Sequence, residues 1–246
     1  MKRTLTVIVL VIVAFAAIVL ARLPASWLLP AGGADFSCAS VAGSLWNGYC
    51  SGLQVRGTPL GDLTWQLRPS RLFLGKLAAH IDIEHPPTTS VQGDVDVGLG
   101  GTIVAHDVTA SLPLDPKLLP GAPPTLSGTL HLNLTMASVT RKGVVKSLEG
   151  RIEASDLVDR GGYVTPLGNF VVTFPGGTPQ PTGDVQDAGG PLAVQGTLVL
   201  TPQPGYGLSG YVTPRQNATQ ALINAIQFLG SPDAQGRRQF ALSGTY

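Results

Sequence analysis

Between Leu126 and Thr135 apolar and polar residues alternate without a break. Leu126, Gly128, Leu130, Leu132 and Leu134 share one parity, and Ser127, Thr129, His131, Asn133 and Thr135 the other. Successive side chains of an extended backbone point to opposite faces, so this period of two predicts a half-buried β-strand. The same alternation recurs in Gly61 to Pro69, where Leu63, Trp65 and Leu67 interleave with Asp62, Thr64, Gln66 and Arg68, and in Val91 to Leu99. The segment Phe73 to Ile83 places Phe73, Gly75, Leu77, Ala79, Ile81 and Ile83 on one face. Further strands are predicted over Ile103–Ser111, Val144–Ala154, Gly168–Phe174, Leu192–Thr201, Gly205–Thr213 and Arg238–Ser243.

Because so many strands are apolar on one side only, their sheet must fold over a second sheet or curve around a core, and it can leave an apolar trough. Gly and Pro together exceed a fifth of the 246 residues, while charged residues make up only 13% and hydrophobic ones 43%. Disorder requires more charge than this, and short strands joined by many turns require this much Gly and Pro. Two stretches read as Pro-rich connections or edges: Leu112 to Pro124, and Thr178 to Pro191. A helix is predicted over Asn217–Leu229, where Ala221, Leu222, Ala225, Ile226 and Leu229 recur at three and four residues. Asn217 suits its N-cap and Gly230 its C-terminal cap, and the apolar stripe is expected to pack on the sheet.

The chain opens with Met1-Lys2-Arg3 and an apolar run from Leu5 to Ala21 that only Thr6 interrupts. At a helical rise of about 1.5 Å per residue the run reaches roughly 25 Å, near the lower end of what a hydrocarbon core requires. Trp27 with Leu23, Leu28 and Leu29 supplies an interfacial collar, and Lys2 and Arg3 orient the N-terminus toward the cytoplasm. A cleaved signal peptide shares the basic start and the apolar stretch, and Val19-Leu20-Ala21 resembles a weak cleavage site. The length of the run and Arg22 directly after Ala21 favour an uncleaved anchor. The expected organisation is a cytoplasmic tip (1–4), a transmembrane anchor (5–23), a linker (24–35) and a periplasmic β-rich domain (36–246). The expected fold is all-β, a curved antiparallel sheet or sandwich with one C-terminal helix, after an N-terminal transmembrane helix.

Sixteen Lys and Arg face fifteen Asp and Glu, and setting aside Lys2 and Arg3 leaves the exported part at −1. That balance offers no electrostatic basis for nucleic-acid binding. Cys38 and Cys50 lie on the exported side, enclosing a segment with turn signals at Gly43 and Gly48. A disulfide across a hairpin is the natural pairing in an oxidising compartment. A metal pair or a redox dithiol needs closer spacing or further ligands.

No catalytic, cofactor or metal constellation stands out. His80, His85, His106 and His131 are scattered, and metal sites show grouped ligands. Asp94 and Asp96 share one strand face, but no third acidic residue or histidine joins them at ligand spacing, so a solvated sheet face is the reading. Gly98-Leu99-Gly100-Gly101 lacks a following helix and reads as a turn rather than a phosphate cradle.

Several stretches carry a resemblance. Gly43-Ser44-Leu45-Trp46-Asn47-Gly48, Leu63 to Pro69 running on through Gly75, Gly189 to Leu192 with Gly196, and Leu229 to Arg237 with the closing Leu242-Ser243-Gly244 are similar to the N component of the bacterial type II secretion system. Trp46 and Trp65 are its most recognisable points, and each is also what plain core packing would use. The resemblance implies an inner-membrane, periplasm-facing, non-enzymatic part of the machine that moves folded proteins through the outer membrane. The implied partners are the outer-membrane secretin and inner-membrane components, with no cofactor and no carried-over contact residue. Two other readings compete. One is a lipid-handling periplasmic protein holding acyl chains on the apolar face that Leu130, Leu132 and Leu134 exemplify. The other is a periplasmic enzyme, for which no acid, base and nucleophile can be named.

Overall fold

A computed structural model of the chain describes residues 11, 15, 19, 22–27, 36–115, 123–162 and 164–245. Fourteen strands form one antiparallel sheet: β1 (Phe36–Ser37), β2 (Ser40–Gly43), β3 (Asn47–Val55), β4 (Thr58–Arg68), β5 (Lys76–His85), β6 (Thr89–Gly98), β7 (Ile103–Pro113), β8 (Leu126–Val139), β9 (Val145–Asp159), β10 (Thr165–Pro175), β11 (Thr182–Asp187), β12 (Leu192–Leu200), β13 (Gly205–Pro214) and β14 (Arg238–Thr245). From β3 to β14 each strand pairs with its neighbour in sequence, so the sheet is an up-and-down meander. β1 and β2 lie end to end along the outer edge of β3, interrupted at Cys38 and Ala39. The alternative of two packed sheets is thereby resolved in favour of a single curved one.

The one helix among the described strands and loops of the C-terminal region is α1 (Gln220–Gln227). It starts three residues after the predicted Asn217. The Thr219 hydroxyl accepts from the Leu222 N–H at 3.3 Å and caps it, while Ala218 N–H closes a turn onto Arg215 C=O. Gly230, with φ of 103°, follows the last turn as predicted for a helix end. Two further boundaries differ from expectation. Residues Pro69–Leu74 form a 3-10 helix, so β5 begins at Lys76 rather than Phe73, after Gly75 takes a left-handed φ of 68°. Within the second Pro-rich stretch, Thr182–Asp187 is a strand with neighbours on both sides; Pro181 and Gly189 bracket it, and Val185 is buried.

The sheet bends where single residues bulge. Asp107 and Asp156 sit in β7 and β9 with φ of 50° and 53°, and the pairing registers shift beside them. The Asp156 N–H that leaves the ladder donates to Asn169 Oδ1 at 2.8 Å, so the bulge carries no orphan donor.

The predicted tip (1–4) and most of the predicted anchor (5–23) lie outside the described residues. Among the described residues no helix is long and apolar enough to cross a membrane. In the predicted linker, Ala25–Trp27 form a 3-10 turn docked on the sheet: Leu45 N–H donates to Leu23 C=O, Pro24 bridges Ser44, and Ala25 is 1% exposed.

Candidate functional site

Along the middle of the strands the two faces of the sheet carry different chemistry. Following the register strand by strand from β2 to β14, one row reads Val41, Cys50, Leu63, Ile83, Val91, Ala110, Leu132, Ile152, Val172, Val185, Gly196, Gly210 and Phe240. No polar side chain interrupts it across thirteen strands. At about 4.8 Å between strands the row follows an arc of roughly 55–60 Å. One residue away along the strands, on the opposite face, the row reads Tyr49, Thr64, Asp82, Gln92, Thr109, Asn133, Arg151, Thr173, Asp184, Thr197 and Ser209.

Three clusters of buried side chains lie along the apolar face. Near the N-terminal edge Ala25, Cys50, Leu53 and Trp65 pack together; in the middle, Leu134, Leu148 and Phe174; toward the C-terminal edge, Val185, Leu192, Val194 and Val212 with Leu222 and Ile226 of α1. The helix covers only part of the face. Beside it an open trough of about 430 Å³ runs between Phe170, Val172, Leu198, Leu208, Phe240 and Leu242, with Ile226 and Leu229 as its helical wall. Its lining is wholly apolar. An acceptor or donor placed there would lose water without gaining a partner, so the trough suits an alkyl chain or an apolar side-chain stripe.

At one end of the trough Arg215 donates to Asp187 and to Gly190 C=O at 3.2 Å, and the Asp187 carboxylate accepts from Val194 N–H at 3.1 Å. Partial burial opposes the Asp187 charge; the Val194 N–H and the Arg215 guanidinium outweigh it and hold the carboxyl below its usual range. This pair joins residues 28 apart, and nothing in the local pattern announces it.

On the polar face Asp94 is tied to Arg68 at 3.0 and 3.2 Å and to His80 Nδ1 at 2.8 Å. Burial works against its charge, and His80 and Arg68 overcome that to lower its pKa. The predicted solvated face is therefore laced by an ion-pair cluster at Asp94. His131 and His85 are exposed and stand apart from it. Nearby, Tyr49, Asp62, Thr64, Asp82, Glu84 and Pro86 line a polar hollow of about 320 Å³. Asp62 accepts from Gly52 N–H at 2.9 Å and from the Tyr49 hydroxyl at 2.8 Å, which lowers its pKa and raises that of Tyr49. Among the described residues no group of three His, Cys, Asp or Glu is placed to hold a metal ion.

Cys38 and Cys50 form a disulfide with Cα atoms 5.7 Å apart, bridging the interruption between β1 and β2 to the centre of β3. The motif from Gly43 to Gly48 is the hairpin between β2 and β3: Ser44 N–H donates to Asn47 C=O at 2.8 Å, and Asn47 N–H to Ser44 Oγ at 3.1 Å. Trp65 is 6% exposed, and its indole N–H donates to Leu45 C=O at 3.1 Å. Gly98 to Gly101 is the turn between β6 and β7.

The family model for type II secretion system protein N matches residues 34–241, which takes in nearly the whole sheet and the trough. The chain is 26% identical to the type II secretion system protein N of Aeromonas hydrophila, over 96% of each chain. It is 29% identical to that of Vibrio cholerae over 83% of this chain and 82% of the relative, and 26% identical to that of Klebsiella pneumoniae over 100% and 98%. No solved structure matches the chain. With the match extending from the first strand into β14, the chain belongs to the type II secretion system protein N family.

Proposed function

We propose that the chain is a structural, non-enzymatic component of type II secretion, held in the inner membrane by residues 5–23 with its N-terminus in the cytoplasm and its sheet in the periplasm. The observation that carries this reading is the family match over residues 34–241, which spans the strands of the one-sided sheet from β1 into β14. The basic start and apolar run support the membrane placement, and the Cys38–Cys50 disulfide supports an oxidising compartment. The partners are the outer-membrane secretin and inner-membrane components of the same machine, met through the apolar face.

Crosslinking in the native cells, followed by capture of the full-length chain and mass spectrometry, tests the reading. Enrichment of secretion components is expected, and their absence contradicts it. Compartment is tested separately by Leu99→Cys, at the exposed β6–β7 turn. A membrane-impermeant maleimide should label it in cells with a permeabilised outer membrane and an intact inner one; protection until the inner membrane is broken contradicts the placement.

The trough itself favours a second reading, in which the sheet holds acyl chains. A wholly apolar open cavity of about 430 Å³ is within the size range of small-molecule sites. Lipid co-purifying in fixed ratio, and lost on Leu198→Asp, would carry that reading; lipid in no fixed ratio would remove it.

A further inference from the structure

The two edges of the sheet are built differently. At the N-terminal edge the outer strand is broken at Cys38 and Ala39 and pinned by the disulfide to β3, which leaves no straight run for another strand to join. At the other edge β14 pairs with β13 over eight consecutive positions, Arg238 to Thr245, with no bulge and no proline. Among the described residues nothing pairs with its outer side. Such an edge presents a row of free N–H and C=O groups, and proteins ordinarily blunt it with charges, prolines or bulges. β14 has one charged residue, Arg238, at its start. Exposed apolar side chains gather beside it instead: Leu242 is 57% exposed, and Leu229, which follows α1 and lines the trough with Phe240 and Leu242, is 42% exposed.

We infer that β14 is a self-association edge, pairing antiparallel with β14 of a second copy about a two-fold axis at Ala241. The register follows from the faces. A shift by one residue would set the apolar parity of one strand against the polar parity of the other. Of the registers that keep parity, centring on Phe240 puts Leu242 opposite Arg238 of the partner subunit, a charge at the mouth of the trough. Centring on Ala241 puts Phe240 opposite Leu242 of the partner subunit and Arg238 opposite Gly244 of the partner subunit. Two large apolar side chains then meet on the apolar face, and no like charges face each other. The contact is isologous, as a two-fold pair requires, and the apolar row that ends at Phe240 continues into the second subunit.

The test uses the full-length chain in bacterial membranes, with Ala241→Cys and, as a register control, Ser243→Cys. The native cysteines are both bridged, so neither supplies a competing thiol. After copper–phenanthroline oxidation, Ala241→Cys is expected to give a covalent dimer on a non-reducing gel, and Ser243→Cys, about four residues from its own symmetry mate, is not. Two differently tagged copies should co-purify, and Leu242→Lys should reduce that to background while leaving the far-UV spectrum of the folded subunit unchanged, because the side chain is exposed in the single subunit. The inference is overturned if Ala241→Cys stays monomeric, crosslinks only to a different protein, or crosslinks no better than Ser243→Cys, or if the tagged copies never co-purify.

Discussion

Gly48 of β3 lies directly opposite Trp65 of β4, and the indole covers its Cα so closely that an added methyl group would overlap the six-membered ring. The family-like motif ending in Gly48 and the one centred on Trp65 are therefore two halves of one contact. Gly48→Ala must displace a side chain that is 6% exposed and hydrogen-bonded to Leu45. The expected loss is about 1–3 kcal/mol, read as a melting temperature lower by about 2–10 °C. Gly100→Ala, at a turn with open space around it, should change the melting temperature negligibly.

The disulfide closes a loop between residues 12 apart, which by the chain-entropy argument contributes about 2–3 kcal/mol. Cys38→Ser with Cys50→Ser should lower the denaturant midpoint of the full chain accordingly, and reduction of the native chain should do the same. Both treatments should leave the far-UV spectrum β-rich, because β3 remains paired with β4 on its other side.

Thr219, rather than Asn217, caps α1. Thr219→Ala is expected to cost about 1 kcal/mol and Asn217→Ala nearly nothing, compared by equilibrium unfolding. Within the same helix Ile226→Ala, at a buried position, should cost about 2–5 kcal/mol, and Phe228→Ala, which is 91% exposed, less than about 0.5 kcal/mol.

Asp187 has a folded pKa below its ordinary value, so its charge stabilises the fold at pH values above the unfolded carboxylate range and stops doing so as pH falls through the folded pKa. Its side chain is only 13% exposed. Asp187→Asn should cost about 1.5–3 kcal/mol at neutral pH, the range for hydrogen bonds to a charged group. The difference in melting temperature between the two proteins should hold from pH 7 down to about 4 and shrink at lower pH. A difference that grows on acidification contradicts the assignment.

The face of each long strand was legible because alternation is local: Leu130, Leu132 and Leu134 declare their side of β8 without reference to any other strand. The row from Val41 to Phe240 was not, since it depends on register across twelve pairings, and the bulges at Asp107 and Asp156 shift that register by one. β11 was hidden for another reason. Its six residues contain a single aliphatic side chain, Val185, and prolines and glycines on both sides give turn signals that outweigh so short an alternation. The helix was found by its apolar period and misplaced at its start, because Asn217 and Thr219 are both good caps and only the turn closed by Arg215 and Ala218 decides between them. The trough needs the helix and six strands, β9 to β14, together, so sequence alone reached it only as a consequence of one-sided strands.

The most direct test of the apolar face as the working surface compares two adjacent residues of β12 that point to opposite faces. A photo-crosslinking amino acid replaces Leu198, in the trough, or Thr197, in the polar row, in the full-length chain in its native cells. The expected result is defined adducts at Leu198, to a secretion component or to lipid, and none of these at Thr197. Equal adducts at both positions, or adducts at Thr197 alone, would contradict it.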